Sequence, residues 1–365
     1  MALKTNLDET LARLRDFWNR EKPDRVPIRI RIPAGSLQAH ESYLAQDKEA
    51  ATQIGSRWED VVLDQERYFD FWERLLLPVL DLEDDSVPTV PTDLGPALMA
   101  GIMGAEIIFE NGTSWTAHPL KDWSQAQRYR FRPDIPWLLR VSRMTRYFLE
   151  RSRGRFAVGL ANYMGPADIL TALRGPTQTC MDFYEFPAET RALLESCTDA
   201  YLKAIESQMN MVYPYRGGTC DPYMYWTIGR GYWLTCDVSS VLSPEIYREH
   251  LREFDQRIVS SMETCWMHVH SGSTFMVDEF IELDGLKGVQ IVNDAPAGPS
   301  LKELLPVLER IQKNHCLILR KYGISELMEI LPELSPAGLL VDTQCRSREE
   351  ADKALADLSR YTRTL

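Results

Sequence analysis

The sequence predicts an α/β protein: one barrel of parallel strands and crossover helices, preceded by additional N-terminal helices. Three observations carry this. Short apolar runs alternate with longer amphipathic segments through the C-terminal half of the chain. Those units recur at intervals of about 25 residues and lack a GxGxxG or GxxxxGK[ST] phosphate motif, which favours a barrel over a nucleotide-binding sheet. The 365 residues, 44% hydrophobic and 26% charged, supply one large core. No Gly-, Ser- or Pro-rich linker divides them, so residues 1–365 read as a single domain.

Asn6-Leu7-Asp8-Glu9 reads as a capping box, and Leu7, Leu11, Leu14, Phe17 and Trp18 share one face of the helix that follows. That helix stops before Pro23. Residues 26–32 form the first strand, with Arg29 and Arg31 on one side and isoleucines on the other. Residues 34–85 look helical, acidic and aromatic. A proline-rich stretch, 86–96, holds Asp93 in a Thr-Asp-Leu-Gly turn, where an Asx-turn role is expected. A glycine-punctuated helix, a short strand at 105–109 and a helix at 134–153 follow. Residues 155–163 read as a strand, and Gly165-Pro166 opens the next helix. Helix 189–210 runs into an aromatic, glycine-rich stretch, Tyr213 to Cys236.

From there the alternation is regular. Ser243-Pro244 starts a helix over 244–263, and the next strand spans 264–270. A helix near 275–283, a strand at 287–292 and a helix at 301–313, capped by Ser300 with Glu303, come next. Strand 316–321, helix 324–331, strand 338–344 and helix 348–361, capped by Ser347 with Glu350, end the chain.

A net charge of −12 argues against nucleic acid or an anionic membrane as the main partner. No run approaches the roughly 20 apolar residues of a membrane span, and the N-terminus has no secretory apolar core. Seven scattered cysteines lack the spacing of a disulfide framework and suit a reducing compartment. The expectation is a cytoplasmic protein.

Trp266-Met267-His268-Val269-His270 is the segment richest in chemistry. Period two along a strand puts His268 and His270 on one face. If the strand at 338–344 belongs to the same barrel, Cys345 joins them at the C-terminal ends of the strands. Two His and one Cys make a zinc site with a vacant fourth position. The competing reading is a satisfied buried histidine and an inert core thiol. Tyr223, Tyr225, Tyr232 and Trp233 come from the aromatic stretch as a candidate substrate wall, for stacking or cation–π contact. Packing against helices, or against a second copy in a homodimer, is the alternative for them.

Several segments taken in order resemble the uroporphyrinogen decarboxylase superfamily. They are Lys22-Pro23-Asp24-Arg25-Val26-Pro27, the stretch from Cys236-Asp237 to Ser243-Pro244-Glu245-Ile246-Tyr247, and the strand of His268 and His270. The last is Val341-Asp342-Thr343-Gln344-Cys345 with Ser347-Arg348-Glu349-Glu350-Ala351. Members of that superfamily are (β/α)8 TIM barrels and include porphyrinogen decarboxylases and zinc-dependent corrinoid methyltransferases. The methyltransferase branch has His-x-Cys-Gly where this chain has His268-Val269-His270-Ser271-Gly272, and a last cysteine where Cys345 stands. The resemblance therefore implies zinc on His268, His270 and Cys345, a small thiol or similar acceptor, and a methyl group delivered by a corrinoid on a partner protein. Glu279, on the next helix, is a candidate fourth ligand or base.

Departures from the family pattern keep two other readings open. The decarboxylase branch grips propionates with an Arg-Gln-Ala-Gly-Arg-Tyr segment, whereas this chain has Arg31-Ile32-Pro33-Ala34-Gly35-Ser36-Leu37. Uroporphyrinogen itself is therefore not the expected substrate. A cofactor-independent decarboxylase of a smaller or aromatic carboxylate would use Asp93 to stabilise a protonated substrate nitrogen and Arg31 to hold an anionic substituent. Asp237 matches the family's aspartate and is a third catalytic candidate. The last reading is a non-catalytic binding protein on the same barrel.

Overall fold

The computed structural model describes residues 4–32, 58–76, 80–110, 112–212 and 214–364. Tyr213, part of the helical stretch expected over 34–85, and the Pro33–Leu37 comparison lie outside the described residues. The strands are β1 (Ile28–Arg31), β2 (Thr89–Pro91), β3 (Ile108–Glu110), β4 (Thr113–Trp115), β5 (Ala157–Gly159) and β6 (Gly218–Cys220). They continue with β7 (Trp226–Ile228), β8 (Gly231–Thr235), β9 (Thr264–His270), β10 (Leu286–Val292), β11 (Cys316–Arg320) and β12 (Leu339–Gln344).

Six of them form one parallel sheet in the order β1-β12-β11-β10-β9-β8. Crossover helices such as Leu301–Asn314 and Ile324–Ile330 join successive strands, as a parallel sheet requires. A parallel pair, β2–β5, stands apart from it, and β3–β4 and β6–β7 are antiparallel hairpins. Backbone bonds bridge the gaps, from Asp85 N to Ile28 O and from Leu160 N to Cys220 O. Among the described residues, then, the parallel α/β architecture is present, while a continuously bonded eight-strand barrel is not.

Register decides which side chains meet. Arg29 pairs with Asp342, Asp342 with Arg320, Arg320 with Val292, and Val292 with His270. Gln290 pairs with His268, His268 with Thr235, and Trp266 with Trp233. Cross-strand partners share a face, so all of these side chains lie on one side of the sheet. The N-terminal helix, Leu7–Asn19, closes the opposite end of the strands from the histidines. Its Trp18 Nε1 donates to Trp226 O at 3.0 Å, and the Cys316 thiol lies 3.1 Å from Phe17 O. The C-terminal ends of β8 to β11 are thereby left to build a site.

Some local expectations change. Asn6 makes no capping bond, because its Nδ2 donates instead to Asp84 O at 3.1 Å. Ser300 and Glu303 do form a reciprocal capping box. The helix expected near 275–283 is a 3-10 turn, Ser271–Met276, followed by a short helix, Val277–Phe280. The aromatic stretch before Cys236 holds three strands, β6 to β8. Gly218 permits their close approach, since a Cβ there would sit 2.4 Å from Thr227 O.

Candidate metal centre

β9 is buried along nearly its whole length and ends with His268 and His270 on one face, their ring centroids 5.0 Å apart. The neighbouring strand orients both. Gln290, opposite His268 in register, accepts from His268 Nδ1 at 2.6 Å. Asp294, just beyond β10, accepts from His270 Nδ1 at 2.7 Å. Each ring is left with Nε2 facing away from its anchor, the arrangement seen where histidine binds a metal. Burial, reinforced by His270 and Arg320, holds His268 well below the ordinary histidine range, so it is a neutral donor at neutral pH.

Asp237 supplies a third ligand atom. One ligand atom from each of Asp237, His268 and His270 falls within 4.8 Å of the other two. Tetrahedral zinc, with bonds of about 2.0–2.2 Å, needs its ligands about 3.3–3.6 Å apart, a separation that small side-chain adjustments reach. Asp237 Oδ1 is buried without a hydrogen-bond partner. Burial, then the charge of Asp168, pushes this carboxyl up to about 7, against the opposite pull of His270. An orphaned carboxylate oxygen beside two oriented imidazoles is a donor set that fits a divalent cation. Asp168 steadies the loop: it accepts from Thr235 Oγ1 at 2.6 Å and from Val238 N at 3.1 Å, on either side of Asp237.

Asp237, His268 and His270 line a cavity of 240 Å³. Tyr223 and Trp233 form its aromatic wall, with ring centroids 6.3 and 5.2 Å from His268. Asp93 and Asn162 face the same cavity, as do Arg320 and Lys321. Asp93 accepts from Gly95 N at 2.7 Å, the expected Asx turn, and burial pushes its carboxyl up to about 6. Of the residues nominated from sequence, the cavity therefore joins Asp93, Asp237, Tyr223, Trp233, His268 and His270.

The others lie elsewhere. Cys345 is outside the ligand group. It follows β12, three strands from β9, and its N–H continues the pairing with Arg31 O at 3.0 Å. Alternation gives it the parity of Thr343, not of Asp342, and so the far side of the sheet. Burial, with Glu350 nearby, pushes its thiol up to about 11, which disfavours the thiolate a metal needs. Tyr232 sits next to Trp233, so the two cannot share a face; its hydroxyl bonds Ala161 O and Tyr163 N instead. Arg31 Nε is bound to Asp342 at 3.1 Å, and the Tyr225 hydroxyl donates to the same carboxylate. Glu279 pairs with Arg248 at 3.0 Å.

Sequence reasoning missed Gln290, Asp294, Asp168, Arg320 and Lys321. The anchoring bonds of the first two make a direct prediction. Asp294→Ala is expected to weaken zinc binding by about 10- to 100-fold while far-ultraviolet circular dichroism stays unchanged. Competition with a fluorescent chelator measures it.

No known family profile matches the sequence, and no curated protein matches it either. Among solved structures, the fold is similar to that of a methyltransferase from Methanosarcina mazei, with a TM-score of 0.65 and 14% identity. The likeness covers 97% of this chain and 98% of that one. At such identity it establishes a shared fold from end to end: this chain has the α/β architecture of that methyltransferase.

Proposed function

We propose that this protein is a zinc-dependent methyltransferase of the uroporphyrinogen decarboxylase type, a single (β/α)8 barrel spanning residues 1–365. The carrying observation is the trio of Asp237, His268 and His270, with both Nδ1 atoms anchored and one carboxylate oxygen unpaired. These three residues would hold the zinc, in place of the His2Cys set expected from sequence. Bound zinc supplies Lewis acidity, lowering the pKa of a thiol or similar acceptor. The chain's own residues orient that acceptor. Tyr223 and Trp233 offer flat apolar contact beside His268, and Asp93, poised near neutrality, can hold or release a proton at its carboxylate.

In this reading the methyl donor is a corrinoid on a partner protein. An adjoining cleft of 480 Å³, bordered by Trp115, His118 and Val241 and sharing Asp237 with the first cavity, offers a path by which a large donor would reach the site. No helix among the described residues is long and apolar enough to cross a membrane.

Metal content by plasma mass spectrometry tests the reading. Protein purified without added metal is expected to carry about one zinc per chain. Asp237→Ala should lose it and Cys345→Ser should keep it. Loss in Cys345→Ser would restore cysteine as the third ligand. Absence of zinc throughout would favour the cofactor-independent decarboxylase, for which a buried Asp93 raised to about 6 is the supporting feature. In that case Asp93→Ala should abolish turnover.

A further inference from the structure

β11 ends on Arg320 and is followed directly by Lys321, and the metal reading uses neither cation. Arg320 shares the sheet face of Asp342 and Val292 and is 5% exposed. Its guanidinium carbon lies 4.0 Å from the centre of the Tyr223 ring, which in turn faces His268 at an interplanar angle of 28°. Its Nε has no hydrogen-bond partner. Alternation would send the next residue, Lys321, to the opposite face. Its φ of 66° breaks the alternation and brings the side chain into the cavity it lines. Bonds from Lys321 N to Asp342 O at 2.9 Å and from Asn293 Nδ2 to Lys321 O at 3.4 Å hold this left-handed backbone in place. L-residues seldom adopt that conformation, and where they do, it is often at a functional position.

Neither side chain forms an ion pair within 4.0 Å with a described carboxylate. Asp93 and Asp237 line the cavity too, but the acids that act on these two cations by charge are Asp342, Asp294 and Asp221. Asp342 is held by Arg29, Arg31 and Tyr225, and Asp294 by His270 and Gly272 N. Asp221, the other buried acid close to Arg320, is pushed up to about 7 by burial and carries only part of a charge at neutral pH. An acidic protein thus concentrates unneutralised positive charge on one wall of the cavity whose other wall holds the histidines. Such charge is costly to bury unpaired, and an incoming anion relieves the cost.

We propose that Arg320 and Lys321 form an oxyanion subsite inside this cavity, so that the substrate is a small molecule with a carboxylate or phosphate at one end and its reacting group at the other. A cavity of 240 Å³ suits a molecule of that size. Treating the anion as one end of the substrate rests on the methyltransferase reading; anion binding itself does not depend on it.

Calorimetry on the chelator-treated full chain separates the two. Inorganic phosphate and acetate are titrated in turn, and the tighter binder identifies the anion class. Lys321→Met is expected to weaken that binding at least about tenfold. Lys321→Arg should restore it, and Lys287→Met, at the far end of β10, should leave it unchanged. Failure of both anions to bind the unmodified chain, or equal affinity in Lys321→Met, overturns the subsite. Anion binding in a chain that takes up no zinc would sustain the subsite and sink the metal reading alone.

Discussion

Replacing His268 with alanine is expected to abolish zinc binding and any zinc-dependent turnover. A complete ligand set contributes about 10–16 kcal/mol to zinc affinity, so one ligand of three or four carries about 3 kcal/mol, a factor of more than 100. The effect should exceed that of Asp294→Ala, which leaves all three donors in place and loosens only one ring. His268→Ala also removes the partner of Gln290, whose side chain is buried. Some loss of thermal stability should accompany the loss of metal. His268→Gln, which keeps a polar group against Gln290, separates the two effects: it should melt closer to the unmodified protein yet remain without zinc. Zinc uptake by His268→Ala comparable to that of the unmodified chain would remove the metal centre from consideration.

The histidine pair was legible because period two needs only one strand, and β9 occupies the predicted residues 264–270. The strands at 287–292, 316–321 and 338–344 were legible for the same reason, being short apolar runs between amphipathic helices. What lay beyond reach was whatever depends on two strands at once. The bonds from His268 to Gln290 and from His270 to Asp294 follow from the register of β9 on β10, which no local pattern encodes. Cys345 shows the converse. Its position after an apolar strand is plain from the sequence, but its parity relative to Asp342 sends the thiol away from the cavity. The same counting separates Tyr232 from Trp233 and was available from sequence. The direction of Lys321 was not, because a single left-handed φ inverts the alternation there.

Asp342→Asn is expected to destabilise the fold by about 3–5 kcal/mol, the usual consequence of removing one partner from a buried ion pair. Its carboxylate is 1% exposed; Arg29 Nη1 lies 3.3 Å and Arg31 Nε 3.1 Å away, and the Tyr225 hydroxyl donates to it. The substitution leaves the size of the side chain unchanged but removes the negative charge that the guanidinium groups of Arg29 and Arg31 share, and Arg320 stands close enough to add to the repulsion. Burial by itself would raise the pKa of Asp342. Arg31, Arg29 and Arg320 outweigh it and hold the carboxyl below its ordinary value. A depressed folded-state pKa means that the unfolded chain binds the proton first as pH falls. The stabilisation is therefore complete above the unfolded value of about 3.9 and is lost as the pH drops through the folded value. Urea melts of the unmodified chain and Asp342→Asn should differ by a constant amount between pH 6 and pH 8. The curves should converge only in acid below pH ~4, where the native carboxyl finally protonates. Equal midpoints at neutral pH would show that Asp342 does not hold this cationic cluster together, and that the positive wall of the cavity is stable without it.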